Sequence, residues 1–349
     1  MSAIPLYMKR SKISEVASHC YLGLTMTQRM SWGDHISNVL SKASQRIGII
    51  NYLKYKLPRS VIIHLYTTLV LPVFDYCDQI YDNCTLLQKK SIEDKHVLGA
   101  RVCTGALKST NINTLLQEEI GWERMEARRW RHKLFTFHKI VYGPAPSYLT
   151  SLLPGRNCEN PGYSGRNPNA CKLYRCNTNK MKNSFLPSSV TIWNSISREL
   201  QDTSQLVSFK SAVNKIFLPL KAPSYYGQGQ RRLSVLHTQL RLKHNFLNRH
   251  LYRIGIKNSP ACSCGYREET ELHFILECPN FAEQRNRLLG RVDALLAPDQ
   301  DVYYMSINKR LELLNLLLLG SSGLSVQLNQ LLFAEVHTYI GATERFPVF

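Results

Sequence analysis

From Asp34 onward, apolar residues recur at Ile36, Val39, Leu40, Ala43, Ile47, Ile50 and Leu53. This seam of threes and fours predicts an amphipathic helix, capped by Asp34 and ended before Pro58. Pro58 then opens a second helix through Ile62, Leu65, Tyr66 and Leu69, which Pro72 kinks or restarts. A third is predicted over Leu86 to Val102. A fourth runs from Trp122 through Met125, Leu134, Phe137 and Val141, with Glu123 and Glu126 near its start and Gly143 after its end.

Ahead of these, residues 1–33 read as an extended hairpin, with Tyr21-Leu22-Gly23 as the turn. Together the helices predict a bundle over 34–152, closed by the breaker Gly143-Pro144-Ala145-Pro146. A basic linker, 153–225, follows: it is rich in Gly, Asn and Pro to about 183, then has short helices near Ser188–Leu200 and Ser204–Phe217. Residues 226–290 hold a basic helix and a Cys-His segment, and 291–349 form a C-terminal helical segment near Ile307–Leu319 and Ser325–Glu344. The expected class is mainly α: a helical bundle, an irregular basic linker, a small knuckle-like module and C-terminal helices. The Leu-rich stretches Leu311 to Leu319 and Leu328 to Phe333 read as helix-packing core, with a protein-docking face as the other reading.

Charge changes the picture. The chain carries a formal +19, and residues 160–267 hold 17 Lys/Arg against only Glu199 and Asp202. Between Thr203 and Arg267 there is no carboxylate, so local ion pairs cannot neutralise the stretch and outside counter-charge is expected, with phosphate its natural source. A scattered, merely solvated surface is the alternative. The expected contacts are Arg124, Arg128 and Arg131 on one helix, and Arg231, Arg232, Arg241, Lys243, Arg249, Arg253 and Lys257 further on, interleaved with His237, His244, His250, Phe246 and Tyr252. Lys9, Arg10 and Lys12 interrupt any secretory signal, and Leu311 to Leu319 is too short to span a bilayer. An intracellular protein of nucleus or cytoplasm, off the membrane, is expected.

The sharpest local signal is Cys262, Cys264, His273 and Cys278, spaced Cys-x-Cys-x8-His-x4-Cys. Three thiolates and an imidazole are the donor set that tetrahedral zinc prefers, and four protein ligands imply a structural site. Gly265 relaxes the backbone beside the second thiol. The tight Cys-x-Cys restricts how both sulfurs face one ion, and free buried thiols are the alternative.

Enzymatic patterns fail. No Asp-Asp pair occurs, so the Tyr/Phe-x-Asp-Asp turn of two-metal polymerases is missing and no Mg site is expected. Asp299 and Asp301 suggest a nuclease pair but fit capping acids better, and neither a Gly-x-Ser-x-Gly elbow nor a phosphate loop occurs.

Several blocks, in order, resemble one family. Tyr21-Leu22-Gly23-Leu24 with Trp32 and His35-Ile36, then Leu65-Tyr66, Leu71-Pro72 and Tyr76, then Gly121-Trp122 and Glu126-Ala127-Arg128-Arg129, are similar to the region after the palm in LINE-type (non-LTR) retrotransposon reverse transcriptases. Ser184-Phe185-Leu186-Pro187, Trp193-Asn194 and Ser208-Phe209-Lys210 resemble its next block. Leu251-Tyr252-Arg253-Ile254, Ser259-Pro260, Cys262-Ser263-Cys264-Gly265, Glu269-Thr270, His273-Phe274 and Glu277-Cys278-Pro279 resemble its C-terminal Cys-His motif. The resemblance implies an RNA-directed DNA polymerase family, a thumb that grips primer-template, and a knuckle that engages RNA or DNA. It also implies that catalytic palm and endonuclease domains belong upstream, so that this chain does not polymerise alone. A protein-interaction scaffold and an inert relic of a decayed element are the competing readings.

Overall fold

The computed structural model describes residues 7–159, 168–296 and 307–346; Asp299 and Asp301 fall outside them. The fold is mainly α. Among the described residues, strands are confined to two antiparallel hairpins, Tyr7–Met8 with Ser11–Lys12 and Ser18–Tyr21 with Leu24–Thr27. The second turns on Leu22 (φ 46°) and Gly23 (φ 80°), the pair of positive φ angles that a two-residue hairpin turn of matching twist needs. The Tyr76 hydroxyl donates to the Leu22 carbonyl at 2.5 Å and braces the tip.

The chain folds into two compact units, each assembled from separated stretches. The first comprises residues 1–45, 72–95 and 125–217. Its centre is the Met125–Tyr142 helix, which packs against the helices Phe185–Ser195 and Leu206–Phe217. Leu134, Phe137, Val190, Trp193, Phe209 and Val213 close that core, as the apolar period of each helix requires. The polar residues of the Met125–Tyr142 helix are not free. Arg128 pairs with Asp75 through two 2.6 Å bonds, and buried Arg129 and Lys133 meet at buried Asp82.

The second unit comprises residues 46–71, 96–124 and 218–349. Its larger core draws on the helices Arg231–Arg241, Ala282–Leu296, Ile307–Leu319 and Val326–Ala342. Leu313, Leu314, Leu317 and Leu318 are buried there with Leu332, Phe333, Val336 and Ile340, so these Leu-rich stripes are spent on helix packing. Ser325 caps the last helix by accepting from the Leu328 amide at 3.1 Å, one of the orphan donors every helix start must satisfy.

The Pro72 break takes a specific form. Arg59–Leu65 is α-helical, Tyr66–Val70 widens to a π-turn, and Leu71–Asp75 resumes the α form. Proline brings no N–H to the ladder and its ring crowds the carbonyl four residues back, so the backbone before it widens rather than ends.

Candidate metal centre and nucleic-acid interface

Cys262, Cys264, His273 and Cys278 come together: one ligand atom from each lies within 4.8 Å of the others, and all but the half-buried Cys264 are buried. Two short backbone devices achieve this. The Cys262–Tyr266 turn is closed by the Cys262 amide on the Tyr266 carbonyl (2.9 Å) and the Gly265 amide on the Cys262 carbonyl (3.0 Å). Gly265 sits at φ 91°, where a side chain would be strained, and this lets a Cys-x-Cys spacing turn both sulfurs inward. His273–Glu277 forms a π-turn whose closing bond, from the Cys278 amide to the His273 carbonyl at 2.6 Å, brings the last thiol back to the imidazole.

Tetrahedral zinc holds sulfur at about 2.3 Å, which sets neighbouring sulfurs roughly 3.8 Å apart. Cys262 and Cys278 Sγ lie 3.7 Å apart, and Cys264 Sγ lies 3.2 Å from His273 Nε2. The donor set and its spacing therefore fit a zinc ion. Burial and the neighbouring thiols push the Cys278 thiol up to about 12. The imidazole is oriented by stacking on Tyr266 (4.4 Å, 4°) and leaves Nδ1 buried and unbonded, 3.9 Å from the Glu277 carboxylate. Glu277, the carboxylate nearest that nitrogen, is itself engaged by Arg310 at 3.1 Å.

A second group, Asp75, Asp78 and His132, also lies within ligand distance. Arg128 already engages both Asp75 oxygens, and His132 Nδ1 meets Asp78 at 2.6 Å. Burial pushes the Asp78 carboxyl up despite that imidazole.

The basic positions divide by placement. Arg241 is buried: it pairs with Glu119 at 2.8 and 2.9 Å, donates to the Leu318 carbonyl at 3.1 Å, and stacks 3.9 Å from the Tyr226 ring. Arg231 is buried too, donating to the carbonyls of Lys54, Val102 and Cys103. Counter-charge for Arg241 thus comes from within the chain, from an acid outside the carboxylate-free stretch. Arg128 pairs with Asp75, Arg131 is half-buried against Asn214 and the Phe135 ring, exposed Arg124 donates to Asn113, and exposed Arg232 reaches the Phe346 carbonyl.

Lys243, Arg249, Arg253 and Lys257 are exposed and share one neighbourhood. Arg253 donates to His250 Nδ1 and to the Lys243 carbonyl, and Lys257 donates to Asn248. Arg249 lies a loose 3.5 Å from Glu268, with both side chains well exposed, an ion pair too wet to cancel its field. The expected continuous helix is interrupted: Arg231–Arg241 ends, Lys243 takes φ 56°, and Asn248–Arg253 begins anew. Leu240, Leu247 and Leu251 are nonetheless the inward residues.

The residue that joins this basic helix to the Cys-His module is Glu269. Its buried carboxylate accepts from the Asn248 amide at 2.7 Å, at the start of the helix, where negative charge is favoured. Arg345 grips the same carboxylate with two 2.6 Å bonds, and the Glu269 amide donates to the Pro260 carbonyl at 2.8 Å. Asn248 Nδ2 donates to the Ala261 carbonyl at 2.5 Å, one residue before Cys262. The pairing of Glu269 and Thr270 beside the knuckle was visible in the sequence, but the partner 21 residues earlier was not. Glu119, the second of the acids Glu118-Glu119 between Leu115-Leu116 and Ile120, gave a fainter signal.

These features describe a mainly helical, strongly basic chain with a Cys3His group able to hold a metal ion. No protein-family model matches it, and no solved structure matches it. Over 70 residues it is 34% identical to the Retrovirus-related Pol polyprotein from type-1 retrotransposable element R1 4 of Nasonia vitripennis. That stretch is 20% of this chain and 18% of the polyprotein's length. The similarity supports a retrotransposon origin for the chain. Among the described residues, no helix is long and apolar enough to cross a membrane.

Proposed function

We propose that this chain is a nucleic-acid-binding part of a LINE-type reverse transcriptase, gripping RNA or primer-template duplex and carrying no polymerase centre of its own. The observation that carries the reading is the Glu269 link: the Cys-His module holds the first turn of a helix whose Arg249 and Arg253, with Lys243 and Lys257 beside it, face water. An exposed cluster of cations on a fixed backbone is what a phosphodiester chain selects, because each phosphate neutralised releases counterions. Arg124 and Arg232 in the same unit, and separately Arg128 and Arg131 in the first unit, are further candidate contacts, while Arg231 and Arg241 hold the framework. Bound at Cys262, Cys264, His273 and Cys278, zinc supplies a structural crosslink between the Cys262–Tyr266 turn and the His273–Glu277 turn.

Fluorescence anisotropy with a labelled RNA and a labelled primer-template duplex tests the reading. Replacing Lys243, Arg249, Arg253 and Lys257 together by Ala is expected to weaken binding at least tenfold at 100 mM salt and to lower the salt slope by about one per residue removed. Unchanged affinity in that variant refutes the assignment.

A further inference from the structure

A cavity of about 370 Å³ in the second unit shares only Arg231 and Arg232 with the basic positions named above. Its lining includes the cations Lys54, Arg101, Lys108, Arg231 and Arg232 and, among the described residues, no Asp or Glu. The rest of the wall is largely apolar or aromatic and includes Tyr55, Leu98, Leu107, Leu236 and Phe246. Tyr55 is 61% exposed, with the Lys54 ammonium 4.8 Å from its ring centre. Among the described residues, Arg231 Nη1, a donor, and Gln239 Oε1, an acceptor whose amide nitrogen is held by the Gly105 carbonyl at 2.9 Å, are buried atoms of the lining without a hydrogen-bond partner. Buried groups of this kind are rarely left unmet, and here they accompany a cavity at the small end of the roughly 300–1,000 Å³ range of ligand sites.

An occupant must bring negative charge to the cations, a flat apolar body to Tyr55 and Phe246, and polar edge atoms for the unmet donor and acceptor. A hydrophobic carboxylate meets the first two demands but offers no N–H for Gln239. A nucleotide meets all three: phosphate for the cations, a stacking face for the aromatics, donors and acceptors on the base edge. We infer that this cavity binds one nucleotide unit, phosphate and base together. The inference depends on the reading above only for the source of that unit, which is either a nucleotide turned out of a bound strand or a free mononucleotide.

Titration of the full chain with adenosine 5′-monophosphate, followed by calorimetry, tests it. Saturable binding is expected, with adenosine alone and inorganic phosphate alone each at least tenfold weaker. Tyr55→Ala and Lys108→Glu, both at exposed positions, are expected to weaken the monophosphate at least tenfold each with the circular dichroism spectrum unchanged. Lack of saturable binding, equal affinity for phosphate alone, or indifference to both substitutions overturns the inference, whatever the chain does with long RNA. The variant lacking Lys243, Arg249, Arg253 and Lys257 identifies the source. If it loses oligonucleotide but keeps the monophosphate, the two sites are separate and this one stands. If the unaltered chain takes the monophosphate and no oligonucleotide, the nucleotide is a free one, and the function proposed above fails while the cavity assignment holds.

Discussion

Arg241 and Glu119 lie 122 residues apart in sequence and meet in the interior, Nε to Oε2 at 2.8 Å, each almost wholly buried. Arg59 joins them from a third stretch, donating to the Glu119 carboxylate and, at 2.7 Å, to its backbone carbonyl. One carboxylate therefore answers two buried guanidinium groups, and Thr238 completes the set by donating to it at 3.2 Å. Burial alone raises the Glu119 carboxyl, but Arg241 and Arg59 more than reverse that and hold it below its ordinary 4.5.

Removing that charge strands two cations. Glu119→Gln is expected to destabilise the second unit by about 3–5 kcal/mol at neutral pH, measured by urea unfolding. The sign of the pH dependence follows from the lowered value. The carboxylate contributes fully above 4.5, and its contribution is lost as pH falls below 4.5 through the folded value, because the unfolded chain takes up the proton first. The variant should lack that part of the acid-side decline; equal stability of the two proteins at neutral pH counts against the pairing.

A histidine pair gives a second pH signature at milder acidity. His237 Nδ1 and His337 Nε2 are 3.2 Å apart and buried, and burial together with Arg241 lowers both, His337 to about 4. A folded value below the unfolded one means the unfolded chain binds more protons between them. Stability is therefore full above 6.5 and declines as pH falls from 6.5 toward 4. His337 alone should cost on the order of 2 kcal/mol by pH 5. Thermal melts at pH 7 and 5 measure this, and His337→Gln should flatten the difference.

The Cys-His module should bind one zinc ion per chain by elemental analysis. Cys278→Ser is expected to reduce that content and to loosen the segment from Asn248 to Cys278, read as faster amide exchange, since structural metal energy is folding energy. Chelation of the unaltered chain should speed exchange in the same segment. A chain that retains slow exchange there after losing its metal would assign the cluster to packing alone.

Much of this was legible in the sequence, for reasons particular residues make plain. The seam from Ile36 to Leu53 became the Gly33–Leu53 helix, because a period of threes and fours can bury one face in only one way. Leu22-Gly23 became the hairpin turn, and the stretch expected to be helical from Ser325 became the Val326–Ala342 helix. The four side chains of the Cys-His cluster converge because their spacing is short. The fates of Arg231 and Arg241 were not legible. Both occupy an acid-free stretch and read as surface cations, but their partners are Glu119 and carbonyls of Lys54, Val102 and Cys103, brought near by tertiary folding. Period and composition report which side of a helix is apolar; they do not report which distant acid enters a polar side. The assembly of each unit from separated stretches escaped for the same reason.

Lys243, Arg249, Arg253 and Lys257, held in place by Glu269 and the Cys-His module, are proposed to bind a phosphodiester chain. The dissociation constant of a primer-template duplex measured from 50 to 200 mM salt tests this most directly. Contact with several phosphates predicts a straight fall of log affinity with log salt, steep enough to lose about a hundredfold or more across that range. An affinity that stays level over those concentrations contradicts it.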